Sequence, residues 1–163
     1  MKRKFGWKPV GLAVLCVLLC LLAGGIGSYF TMPSIPTWYA GLQKPFFTPP
    51  SWVFGPAWTT LYILMGISLA IVLSKGLKKK GVVAGAEVFA VQLSLNAFWS
   101  IVFFGMQSPW GGVGVIALLW LAIAATIWKF WGISRKAALL LIPYILWVTF
   151  ASALNIAVAV MNP

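Results

Sequence analysis

The chain has 163 residues, of which 62% are hydrophobic and only 8% are charged. A soluble domain carries roughly 25% charged residues, so this composition predicts a single integral membrane domain over 1–163. There is no His, and Glu87 is the only acid. That excludes a Ser-His-Asp triad, a His-based metal site, a His haem ligand and a carboxylate pair for glycoside chemistry.

Charges and turn residues divide the chain into five apolar runs, at about 10–30, 52–74, 82–104, 111–128 and 137–161. Each is near the ~20 residues that cross ~30 Å of hydrocarbon as a helix. The runs are continuously apolar rather than alternating, which favours helices over barrel strands. The fold class expected is therefore an all-α, five-transmembrane-helix bundle. Pro143 lies early in the fifth run and predicts a kink there.

Basic residues set the orientation. Lys2, Arg3, Lys4 and Lys8 precede the first run. Lys75, Lys78, Lys79 and Lys80 follow the second. Lys129, Arg135 and Lys136 separate the fourth from the fifth, and Lys44 alone falls on the opposite side. The positive-inside bias puts the N-terminus in the cytoplasm, the C-terminus outside and the protein in the cytoplasmic membrane. The basic excess is a topology anchor, not a nucleic-acid footprint. A cleaved signal peptide is the rival reading of residues 1–30, but this apolar run exceeds the usual ~7–15 residues of such a signal. Cys16 and Cys20, one helical turn apart, read as small buried hydrophobes.

Helical spacing gathers the unusual residues. Trp58, Tyr62 and Gly66 share a face of the second run. Gln92, Asn96 and Trp99 share one in the third, and Tyr144, Trp147, Ala151 and Asn155 one in the fifth. With the orientation above, all three faces lie in the outer half of the bundle. Amides in hydrocarbon cost several kcal/mol unless paired, so they should point inward. The longest loop, about 31–51, lies on that same side. It carries Pro33, Pro36, Pro45, Pro49 and Pro50 among Trp38, Tyr39, Phe46 and Phe47. Proline lowers the entropy lost on ordering, so this loop is expected to be a structured lid. Apolar walls, a few amides and a lid suit a flat hydrophobic small molecule. Packing alone is the competing reading. Trp7, Trp38, Trp52, Trp110, Trp128 and Trp131 fit an interfacial aromatic belt, and helical amides often only join helices.

Trp38-Tyr39-Ala40-Gly41-Leu42-Gln43-Lys44-Pro45 with Thr48-Pro49-Pro50 resembles the loop signature of the translocator protein (TspO/MBR) family, also called tryptophan-rich sensory proteins or peripheral benzodiazepine receptors. The similarity runs on through Trp52 to Tyr62, Gln92 to Asn96 with Trp99, Phe103-Phe104-Gly105, Pro143 to Trp147, Phe150-Ala151 and Leu154-Asn155. The resemblance implies five helices and a receptor or sensor for protoporphyrin- or haem-type tetrapyrroles and flat aromatic drugs, with no obligatory cofactor. It also implies a homodimer in the bilayer. By matching motif it implies a ligand site of Tyr39, Pro45, Trp58, Asn96, Trp99, Trp110, Trp147, Ala151 and Leu154, beside which the face of Asn155 lies. Some relatives degrade porphyrin in light, which makes Trp58, Trp99 and Trp147 candidate redox residues. This chain departs from the pattern at Gly114, where many relatives carry Asp, and at Phe47, where many carry Trp. At Ile156 and Val160 it lacks the Tyr and basic residue of the animal sterol pattern.

Glu87 reads as an interfacial residue that snorkels or pairs with the 75–80 lysines, with proton coupling as the functional alternative. Gly81 with Gly85, and Gly24 with Ser28, are spaced for close helix approach. Three functions compete: a receptor for tetrapyrroles or other flat hydrophobic ligands, a light-dependent porphyrin-degrading enzyme, and a small-molecule transporter. The chain offers no general base or nucleophile pair, so any chemistry has to come from the bound pigment.

Overall fold

The computed structural model describes residues 7–163, with side chains from Pro9 onward. The first basic cluster, Lys2, Arg3 and Lys4 with the side chain of Lys8, lies outside the described part. The chain forms α1 (Trp7–Ser34), α2 (Trp38–Gly41), α3 (Phe54–Leu73), α4 (Val82–Ser100), α5 (Pro109–Trp131), α6 (Arg135–Leu140) and α7 (Ile142–Met161). A 3-10 turn, Ser51–Val53, leads into α3, and a π turn, Ile101–Gly105, ends α4. Five helical stretches are long and apolar enough to span: Pro9–Ser34, Ser51–Leu73, Val82–Gly105, Pro109–Trp131 and Arg135–Met161. The five-helix membrane bundle expected from the sequence is the one observed.

Several boundaries differ from expectation. α1 runs to Ser34, four residues past the expected end, with Pro33 in its last turn. Pro33 has no N–H to continue the ladder, and the helix ends one residue later, where the Ser34 hydroxyl donates to the Phe104 carbonyl at 2.9 Å. The first connection is correspondingly shorter than 31–51 and contains the single turn α2. α5 begins at Pro109 because Ser108 caps it, accepting from the Gly111 amide at 3.2 Å. The fifth span is interrupted at Leu141, two residues before Pro143, as the missing proline N–H dictates.

α1 lies between α3 and α4, α5 between α4 and α7, and α6 against α3 and α5. The half of the bundle away from α2 is closely packed. Met65, Val72, Phe89, Ile123, Phe130, Ala137 and Ala138 are buried there, and the rings of Phe89 and Phe130 stack at 5.9 Å. Glycine permits the helices to close. A Cβ at Gly66 would come within 2.4 Å of the Val17 Cα, and one at Gly85 within 3.3 Å of the Phe130 ring. The expected Gly81–Gly85 pair thus splits: Gly85 packs within the bundle, whereas Gly81, at φ +88°, starts α4 in the left-handed region open to glycine. Cys16 and Cys20 are free thiols buried in this core. Glu87 is exposed on the surface of α4.

α3 packs on α6 and only lightly on α7. The stretch above that contact, toward α2, is where the helices stand apart.

Candidate functional site

That separation encloses a cavity of about 660 Å³, bordered by α1, α3, α4, the π turn, α7 and Tyr39 of α2. Its volume is within the ~300–1,000 Å³ of small-molecule sites. Among the described residues, no charged side chain borders it.

The walls are aromatic. Trp58 stacks on Tyr62 with ring centroids 5.8 Å apart and meets Trp147 edge-on at 6.4 Å. Trp147 in turn contacts Phe54 at 6.0 Å and Phe150 at 5.7 Å. On the opposite wall Trp99 stacks on Phe103 at 5.2 Å. The π turn makes this wall. Successive residues of a regular helix point roughly 100° apart, so three neighbours do not normally share a buried face. The wider turn, closed by Met106 N–H donating to the Ile101 carbonyl at 2.8 Å, buries Val102, Phe103 and Phe104 together.

Those two phenylalanines seat α2. Trp38 meets Phe103 at 5.6 Å and Tyr39 meets Phe104 at 5.5 Å. Trp38 therefore anchors the connection rather than joining an interfacial belt. Burial pushes the Tyr39 phenol above its ordinary range, which keeps it neutral at the cavity's edge. Lys44 Nζ lies 4.7 Å from the Tyr39 ring centre and donates to the carbonyls of Ala40 and Leu42. Beyond α2, the Gln43 amide donates to Asn162 Oδ1 at 3.0 Å, and Asn162 Nδ2 returns a bond to the Gln43 carbonyl at 2.9 Å.

The two amides that border the cavity, Asn96 and Asn155, are already paired within the protein. The Tyr62 hydroxyl donates to Asn96 Oδ1, and Asn96 Nδ2 donates to the Tyr144 hydroxyl at 3.0 Å. Trp99 Nε1 donates to Asn155 Oδ1 at 3.0 Å, and Asn155 Nδ2 donates to the Pro109 carbonyl at 2.9 Å. Each of these amides thus joins three helices, a use common for amides in a bilayer. What the cavity offers a guest is chiefly aromatic surface.

Eight of the residues expected at the site border the cavity: Tyr39, Trp58, Asn96, Trp99, Trp147, Ala151, Leu154 and Asn155. Two do not. Trp110 is 57% exposed on the outside of α5. The Ser108 cap starts that helix so that Gly112 faces inward, where a Cβ would stand 2.8 Å from Asn155 Oδ1. Pro45 shapes a turn instead, its carbonyl accepting from the Thr48 amide at 3.0 Å and hydroxyl at 2.7 Å. Gln92 and Gly66 share helical faces with cavity residues but lie below the cavity. Both polar atoms of the Gln92 side chain are buried without a protein partner. Gly114, Ile156 and Val160 all point out of the bundle.

Sequence reasoning missed the α1 wall, including Gly24, Gly25 and Ser28, and the aromatic pair Phe103 and Phe104. The signal in α1 was the run of small residues, which leaves room as readily as it brings helices together. Trp52, Trp128 and Trp131 are exposed as a belt would have them, and the last two sit under Lys129 and Arg135 at 5.1 and 5.7 Å. Nothing is described of the Trp7 side chain.

The sequence profile of the TspO/MBR family matches residues 16–161. The chain is 47% identical over 156 residues to the tryptophan-rich protein TspO of Chlorobaculum tepidum, covering 96% of this chain and 99% of that protein. It is 49% identical to the protein of the same name from Archaeoglobus fulgidus over 149 residues, 91% of this chain and 95% of the other. With the human translocator protein it shares 40% identity over 136 residues, 82% of this chain and 79% of the relative. The chain is a multi-pass membrane protein that belongs to the TspO/MBR family.

Proposed function

We propose that the protein is a membrane receptor or sensor that holds a flat hydrophobic ligand of the tetrapyrrole class in the cavity beneath α2. The observation that carries this reading is the uncharged cavity of about 660 Å³ between the Trp58–Trp147 and Trp99–Phe103 walls. Offset and edge-on aromatic contacts suit a planar π-system and need no hydrogen bond from the already paired amides. α2, braced by Phe103, Phe104 and Asn162, acts as the lid. The lysines of 75–80 and Lys129, Arg135 and Lys136 flank the opposite end, which supports a lid facing away from the cytoplasm. The name of one relative, tryptophan-rich sensory protein, accords with a sensor role.

Titration with protoporphyrin, followed by tryptophan fluorescence, tests the reading. Saturable quenching is expected, weakened in Trp147→Phe and in Trp58→Phe; quenching without saturation contradicts it. Illuminating the complex separates receptor from photodegrading enzyme. A Soret band that decays no faster than free pigment supports the receptor, and accelerated decay supports the enzyme.

A further inference from the structure

We propose that the cavity exchanges its ligand sideways with the bilayer, through a gap between α1 and α3 in the half of the bundle that carries α2. The inference rests on the ligand-binding reading above and adds the route. The seam between the two helices is not uniform. At its far end, Gly66 admits the α1 backbone so closely that a Cβ would stand 2.4 Å from the Val17 Cα. Nearer the cavity, a Cβ at Gly24 would stand 2.4 Å from the Tyr62 ring. Past that point, a Cβ at Gly25 or at Gly55, both of which border the cavity, would meet nothing within 4 Å. Crossed helices that touch at one end diverge at the other, and here the divergence coincides with the cavity.

Seven residues of the seam both border the cavity and are exposed: Gly25, Ser28 and Met32 on α1, and Ser51, Trp52, Gly55 and Thr59 at the start of the second span. On a helix that spans the membrane, exposure faces lipid. The gap is therefore an opening from the cavity onto the hydrocarbon. Its rim carries no charge, and the Thr59 hydroxyl is used within its own helix, donating to the Gly55 carbonyl at 2.9 Å. A flat hydrophobic molecule dissolved in the bilayer meets hydroxyls and aromatic surface there but no charge. The end of the bundle is closed by comparison. Tyr39 lies on Phe104, Ser34 is tied to the Phe104 carbonyl, and Gln43 is tied twice to Asn162.

The test is stopped-flow exchange of protoporphyrin, read at the Soret band, with the protein in phosphatidylcholine nanodiscs. Gly25→Phe and Gly55→Phe, on opposite sides of the gap and each with room for a side chain, narrow it. Both are expected to slow association and dissociation together, dissociation by about tenfold, which corresponds to roughly 1.4 kcal/mol on the barrier. A Phe that only damaged the site would instead speed dissociation. Gly114→Phe, on the outer surface of α5, controls for added bulk. Asn162→Ala loosens the end of the bundle, and the two gap variants are expected to slow exchange by the same factor in that background as in the unaltered one. Dissociation that is unchanged or faster in the two gap variants, or gap variants that no longer slow exchange once Asn162 is Ala, overturns the proposal. Failure of the unaltered protein to bind protoporphyrin saturably overturns the ligand-binding reading itself.

Discussion

The same helices build two different halves. Away from α2, glycines bring backbones together and large rings fill the remaining space: Gly66 on Val17, Gly85 on Phe130, Phe89 stacked on Phe130. Toward α2, glycines at 25 and 55 touch nothing, and the rings line a space instead of filling it. A glycine in a membrane helix thus has two opposite uses, and the partner helix decides which. Interiors are otherwise close-packed, as the far half is, so an unfilled volume of this size sets the half that carries α2 apart.

If one half carries stability and the other binding, substitutions should separate the two. The largest loss is expected for Phe130→Ala, which empties the centre of the packed half. It should lower stability by about 3–5 kcal/mol in a chemical-denaturation series in detergent micelles. Gly66→Val forces α1 from α3 and should cost about 1–3 kcal/mol in the same assay. At the boundary, Tyr144→Phe removes the acceptor of Asn96 Nδ2 and leaves a buried donor unpaired, a loss of about 1–3 kcal/mol. In the other half the pattern should invert. Ala151→Leu extends a side chain into the cavity, so protoporphyrin affinity should fall at least about tenfold, roughly 1.4 kcal/mol, while the denaturation midpoint holds or rises. The smallest effect is expected for Gly114→Ala on the open face of α5, a gain of about 0.5–1 kcal/mol with ligand affinity unchanged. A far-half substitution that abolished binding without loss of stability would break the division.

The spans were legible because hydrocarbon imposes length and continuous apolarity on a sequence. Trp58, Asn96, Trp99, Trp147, Ala151 and Asn155 were legible because polar and aromatic residues at helical spacing have to face inward in lipid. The π turn was not. Ile101-Val102-Phe103-Phe104-Gly105 reads as any apolar helix, and its widening is accompanied by a tertiary contact, the Ser34 hydroxyl on the Phe104 carbonyl, that no local pattern encodes. Trp110 failed for a related reason. A motif match fixes a residue's position in sequence, but the Ser108 cap sets the rotation of α5, and one helical position decides between cavity and lipid. Trp38 failed because a tryptophan near a span end looks the same whether it meets headgroups or two phenylalanines. The α1 wall was hidden because small residues predict closeness and space equally well.

The central claim is that the space bounded by Trp58, Trp99, Trp147 and Tyr39 is a ligand site. The most direct measurement is a protoporphyrin titration of the unaltered protein beside Ala151→Phe, followed at the Soret band, with both proteins first matched for helical content and denaturation midpoint. A saturable spectral shift in the unaltered protein that is lost in the variant is the predicted result. Equal affinity in the two proteins, or no saturable shift in either, would contradict it.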